Sequence, residues 1–150
     1  MPLPQEHPQI HDAREKDLPH CEILSRTQEL RTPEGEYPTI QYLRTFIGKG
    51  LFLVAESNSR IIGYLAAEIL NGAIAYLNCL VVEPAFRQKG VGTLLISEIK
   101  KRFVCNNLKM VFFFAPLSNS ESLIFYERNG FIRGKDYAFF CKTLSGTPKE

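Results

Sequence analysis

Several features that would sort this chain quickly are missing from it. It has no strong charge bias: 18 Lys and Arg stand against 16 Asp and Glu, for a net charge of +2. That excludes the electrostatic footprint of a nucleic-acid or membrane-surface binder. No uninterrupted apolar run reaches the length of a membrane span. Residues 1–13, MPLPQEHPQIHDA, lack a basic stretch followed by an apolar one, so no secretory leader is expected. The four cysteines, Cys21, Cys79, Cys105 and Cys141, form no CxxC pair, which argues against zinc, and no metal is expected. Cys79 and Cys141 sit in apolar strand patterns and read as small buried hydrophobes. A reducing, cytoplasmic location follows.

What is present is an ordinary globular composition, 45% hydrophobic and 23% charged over 150 residues, enough for one domain with a single core. Residues 1–9 and 145–150 are expected to be flexible tails. The patterning predicts a first strand over residues 10–13, a helix over 15–30, a polar loop over 31–38 and a helix over 40–47. Strands follow over 51–55, 61–70 and 73–82, the last two joined by Asn71-Gly72, a strong two-residue hairpin signal. A crossover helix over 91–103 leads to a short apolar strand over 110–115, expected to run parallel to 73–82. A second helix over 121–128 begins at a capping box of Ser118 with Glu121 and stops at Asn129-Gly130. Residues 131–133 and 137–144 read as a closing antiparallel pair. The fold class is therefore α/β, a mixed sheet with one parallel strand pair and about four helices.

The most informative stretch is Leu80 to Thr93, LVVEPAFRQKGVGT. An apolar strand meets a proline turn, then Arg-Gln-Lys-Gly-Val-Gly, then at once an amphipathic helix. Glycines let the backbone approach a ligand, and the N–H groups and dipole of a helix start favour an anion there. Arg87 and Lys89 add two positive charges. A P-loop is excluded, because no Gly-Lys-Ser or Gly-Lys-Thr follows a glycine at the required spacing. A dinucleotide fingerprint begins at Gly90-Val91-Gly92 but has Leu95 where its third glycine belongs.

The segment does match Arg-x-x-Gly-x-Gly, led by Leu80-Val81-Val82-Glu83-Pro84, and so resembles the pyrophosphate loop of the GNAT acetyltransferase superfamily. Asn119 to Phe131, NSESLIFYERNGF, resembles the second cofactor motif of that family. The order of elements is similar as well, over roughly residues 10–144. The resemblance implies a GNAT-like acyl-CoA N-acyltransferase fold and transfer of an acetyl group from acetyl-CoA to an amine by direct attack. On that basis Leu80, Val81 and Val82 pair with the pantetheine arm, and Arg87, Gln88, Lys89, Gly90, Val91, Gly92 and Thr93 cradle the pyrophosphate. Asn119 contacts the arm and Tyr126 lies near the thioester sulfur. The Val82 N–H is then the oxyanion donor and Tyr126 the general acid for the departing thiolate.

The acceptor side is less defined. Deprotonating a Lys-like ammonium at pH 7 costs about 4.6 kcal/mol, so a base or a lowered substrate pKa is required. Where many family members carry a Glu, this chain has Asn78, which can orient a water but cannot be the base. Glu68 is the nearest acid on a neighbouring strand. With a two-residue Asn71-Gly72 turn, Glu68 opposes Ala75, Asn78 opposes Leu65 and the two point to opposite faces; a β-bulge would reverse that parity. The base stays unassigned, a water relay being one solution. Glu29, Glu34 and Glu36 form an acidic loop that could attract a cationic amine. The acceptor is open among small amines, polyamines, amino acids and protein amines. A homodimer is compatible with the sequence. Two rival readings stand beside the enzyme: a non-catalytic acyl-CoA-binding module and a dinucleotide-binding enzyme.

Overall fold

The structure, a computed structural model, describes residues 7–27, 30–32 and 35–144. Glu29 and Glu34 of the acidic loop, and residues 1–6 and 145–150 of the expected tails, lie outside the described residues. Five strands form one sheet in chain order: β1 (Gln9–Asp12), β2 (Phe52–Ser57), β3 (Arg60–Asn71), β4 (Ile74–Val82) and β5 (Met110–Phe112). Neighbours are antiparallel except β4 and β5, which run parallel as expected. Gln9, assigned to the tail from sequence, already pairs with Glu56.

The sheet has a core on each face. On one, Leu53, Leu65, Ala67 and Leu77 cluster with Leu95, Ile96 and Ile99 of α3 (Val91–Cys105). On the other, Val54, Tyr64, Ala66, Cys79 and Val81 cluster with Leu18 and Cys21 of α1 (Leu18–Leu24) and Leu43 of α2 (Ile40–Arg44). Burial from both sides is why Phe52–Ala55 reads as an unbroken apolar run rather than an alternation.

Four expectations are corrected. The single helix over 15–30 is a short 3-10 turn followed by α1, which starts with Pro19 in its first turn and stops at Ser25. The buried Ser25 hydroxyl donates back to the Cys21 carbonyl at 2.7 Å and lies 2.5 Å from the Tyr64 hydroxyl. Having given its proton to the carbonyl, it accepts from Tyr64, so the side chain takes over backbone bonding that a continued helix would need. The cap of α4 (Ser120–Arg128) is Asn119 rather than Ser118, its oxygen accepting from the Ser122 N–H at 3.2 Å. The strand over 110–115 pairs only through Phe112.

The largest correction concerns residues 131–144. Phe131 stays docked, but no ladder joins 131–133 to 137–144 among the described residues. Ile132 and Phe140 are 96% and 90% exposed, and Cys141, expected to be buried, is exposed. An apolar alternation specifies a strand only where an edge and a covered face receive it.

Candidate active site

The strand β4 outruns its parallel neighbour. Pairing with β5 ends at Tyr76 opposite Phe112, while β4 continues to Val82. The Glu83 N–H donates to the Ile62 carbonyl of β3 at 2.8 Å. Successive N–H groups of an extended chain alternate sides, so those of Val82 and Leu80 face the gap that β5 has left. The gap is a slot for an extended ligand, with two donors along one wall.

At the end of β4 the chain turns through Pro84–Phe86 and reaches α3 through two left-handed residues, Gln88 (φ 61°) and Gly90 (φ 87°). Gly90 caps α3, and among the described residues no side-chain cap hydrogen bond is made there. No acid lies in that turn either. The helix start therefore presents uncompensated donors and a positive dipole end. The Arg87 Nε donates to the Val82 carbonyl at 3.0 Å, tying the loop to the strand end. Lys89 stands over the Phe86 ring.

The two glycines of this loop do different work. A Cβ on Gly90 would meet nothing within 4 Å, so its requirement is the left-handed backbone. A Cβ on Gly92 would stand 2.9 Å from the Phe125 ring, so Gly92 lets α4 close against α3. That contact helps place Tyr126, whose ring packs on Phe113 at 4.3 Å and on Phe131 at 5.9 Å. Phe113 joins the α3-side core, so the Tyr126 ring packs on that face of the sheet.

The opposite face carries a second group of polar side chains. Asn71 pairs with Ile74, so Gly72 and Ala73 link the strands, and the Ala73 N–H donates to the Asn71 side chain at 3.0 Å. Two register shifts follow, one at Leu70 on β3 and one at Asn78 on β4. Glu68 therefore opposes Tyr76 rather than Ala75, and Leu65 opposes Leu80 rather than Asn78. Asn78 is the bulged residue, turned to the face that Glu68 and Cys79 share. Its Nδ2 donates to Glu68 Oε1 at 3.2 Å and to the Tyr42 hydroxyl at 3.3 Å. The opposite-face expectation for this pair is overturned, by the bulge it was made conditional on.

Burial, chiefly, pushes the Tyr42 and Tyr76 hydroxyls above their ordinary value. Burial also raises the Cys79 thiol to about 11, so it is neutral at physiological pH. Tyr42 was not singled out from the sequence; it lies 36 residues from Asn78, and no short spacing announces the contact.

Residues 48–133, more than half of the chain, match the family model described as the acetyltransferase (GNAT) domain. The chain belongs to the GNAT acetyltransferase family. That family is one of acetyl-CoA-dependent N-acetyltransferases. Solved GNAT-like structures share its fold. Ard1 from Thermoplasma volcanium aligns with a TM-score of 0.75 at 20% identity, over 87% of this chain and 86% of that one. The aminoglycoside N-acetyltransferase AAC(6')-Iy, in complex with CoA, gives 0.73 at 20% identity, over 93% and 98%. Naa50 from Arabidopsis thaliana, in complex with the bisubstrate analogue CoA-Ac-MVNAL, gives 0.71 at 20% identity, over 87% and 86%. No curated protein sequence matches the chain. No helix among the described residues is long and apolar enough to cross a membrane. No group of three metal-ligating side chains is brought together among them.

Proposed function

We propose that this GNAT enzyme transfers acetyl from acetyl-CoA to a primary amine of a small molecule or protein, in one direct attack at the β4–β5 gap. The observation that carries the reading is the gap itself, with the Leu80 and Val82 N–H groups facing it and the uncapped start of α3 at its end. The pantetheine arm lies along Leu80, Val81 and Val82 as an added strand would. Its pyrophosphate sits on the N–H groups of Gly90, Val91, Gly92 and Thr93, with Arg87, Gln88 and Lys89 around it. Asn119 caps α4 with its oxygen at the start of the helix that carries Tyr126, and it contacts the arm there.

Chemistry then needs three groups. The Val82 N–H receives the developing oxyanion, already oriented by the strand. Tyr126 protonates the departing thiolate; an ordinary phenol near 10 faces a thiol near 8.5, a gap that modest tuning closes. A third group must accept the amine's proton. The exposed apolar side chains of the C-terminal segment, Ile132, Phe139 and Phe140, support a homodimer, and the four unpaired cysteines support a cytoplasmic setting.

A second reading, a non-catalytic acyl-CoA-binding module, is favoured by one observation: an amide, Asn78, at a position where many relatives carry a carboxylate. Thiol release from acetyl-CoA across a panel of primary amines separates the two. The enzyme reading expects turnover with at least one amine; tight acetyl-CoA binding with no thiol released from any would establish the module.

A further inference from the structure

The helix that carries Tyr126 has a weak hold of its own. α4 runs over nine residues, Ser120–Arg128, and none of them is buried. Helices of that length are unstable in isolation, so neighbouring elements must fix its place and rotation. Two contacts with α3 do so. Gly92 admits the Phe125 ring, and about two turns later on the same i, i+4, i+8 row Lys100 meets the end of α4.

The end of α4 is built to receive a cation. Gly130 takes the left-handed conformation, with φ 89°, and the Gly130 and Phe131 N–H groups donate back to the Glu127 and Tyr126 carbonyls, each at 3.1 Å. The Asn129 carbonyl lies at this negative end of the helix dipole, and Lys100 Nζ donates to it. The same ammonium stands over the Phe131 ring, 5.2 Å from its centroid. A Cβ on Gly130 would lie 3.4 Å from that nitrogen, so the ammonium sits against the turn itself. These contacts bear on Tyr126 by two routes. The Phe131 N–H is bonded to the Tyr126 carbonyl, and the Phe131 ring meets the Tyr126 ring edge-on at 5.9 Å and the Phe113 ring at 5.0 Å. Lys100 therefore grips a residue that touches Tyr126 through both backbone and ring.

We propose that Lys100 is a positioning residue for the acetyl transfer, latching the C-terminal end of α4 so that the Tyr126 hydroxyl is held where the departing sulfur needs it. The inference rests on the reading of Tyr126 as general acid. It adds a residue that acts through Asn129 and Phe131 rather than on the reacting atoms. Lys100 is exposed, so water and salt screen its contact and the latch adds little to overall stability. Placement is a separate matter, because a displacement of about 1 Å in a reacting group can cost roughly 100-fold in rate.

Lys100→Met keeps the aliphatic stem and removes the charge and the donors, whereas Lys100→Arg keeps both. Turnover is read as thiol release with the primary amine of the panel that the wild type acetylates fastest. Lys100→Met should lower kcat about tenfold, with CoA affinity by calorimetry within about twofold, and Lys100→Arg should retain most of the rate. In a Tyr126→Phe background the same Lys100→Met change should cost less than about twofold, because the acid it holds is already gone. A Lys100→Met enzyme with wild-type kcat would overturn the proposal and leave Tyr126 as the acid. Equal losses in the wild-type and Tyr126→Phe backgrounds would overturn it too, since they would show general support of the fold. A fall in CoA affinity as large as the fall in kcat would do the same, by making Lys100 part of the cofactor site. A Tyr126→Phe enzyme with wild-type kcat would instead remove the acid role beneath the proposal, and absence of thiol release by the wild type with every amine would remove the acetyltransferase reading itself.

Discussion

The β4–β5 gap and the α1–α2 face beside it are built from different materials. In the gap and at its end the candidate groups are mostly backbone: the N–H groups of Leu80 and Val82, in the plane of the sheet, and the uncapped first turn of α3 behind left-handed Gly90. On the α1–α2 side they are side chains, Glu68, Asn78 and Tyr42, from three separate elements. Backbone donors follow from local conformation, which glycine and proline positions dictate over a few residues. A side-chain cluster follows from register, which depends on every residue between the hairpin turn and the site.

The sharpest way to break this comparison is at Gly90. Gly90→Glu puts a side chain and a negative charge where the helix start offers donors, at a φ of 87° that suits only glycine well. CoA affinity should fall more than about 100-fold, roughly 2.7 kcal/mol, by calorimetry on a variant with unchanged far-ultraviolet circular dichroism. Gly90→Ala keeps the strain and omits the charge, so it should lose much less. Equal losses would assign the effect to backbone strain alone; an undiminished affinity for Gly90→Glu would remove the phosphate site. Tyr126→Phe, the next largest effect, should cut kcat about 100-fold while CoA affinity stays within a few-fold. Loss of binding with normal turnover would contradict the acid role and make Tyr126 part of the cradle.

The same contrast explains what could be read from the sequence. The loop Arg87–Gly92, the parallel strand pair and the helix ending at Asn129-Gly130 all rest on short-range rules. Each appears in the structure within a few residues of its expected place. Glu68 and Asn78 were named from sequence but set on opposite faces, because a two-residue turn was counted back without the shifts at Leu70 and Asn78. Nothing in the local sequence marks those bulges; the packing of Cys79 and Val81 against α1 and α2 accounts for the register beyond them. Residues 137–144 failed for the opposite reason: the alternation is clear, but no paired edge meets it among the described residues.

The smallest effect separates the two glycines that a single motif runs together. At Gly92 a Cβ would lie 2.9 Å from Phe125 Cζ, closer than carbons pack, and a tight 3.1 Å from its Cε2. Either the ring or α4 must move, and overpacking of this kind costs about 1–3 kcal/mol. The helical backbone at Gly92 suits alanine, whose helix propensity recovers up to about 1 kcal/mol. Gly92→Ala should therefore lower stability by about 1 kcal/mol in urea unfolding. It should also reduce kcat more than CoA affinity, since α4 carries Tyr126 while the first-turn N–H groups of α3 stay in place. Shortening the neighbour in Gly92→Ala/Phe125→Leu should restore most of the turnover, because the clash, not the ligand, is what Gly92 avoids. Failure of that rescue, with CoA affinity lost as in Gly90→Glu, would show that both glycines serve the phosphate and that the packing contact is incidental.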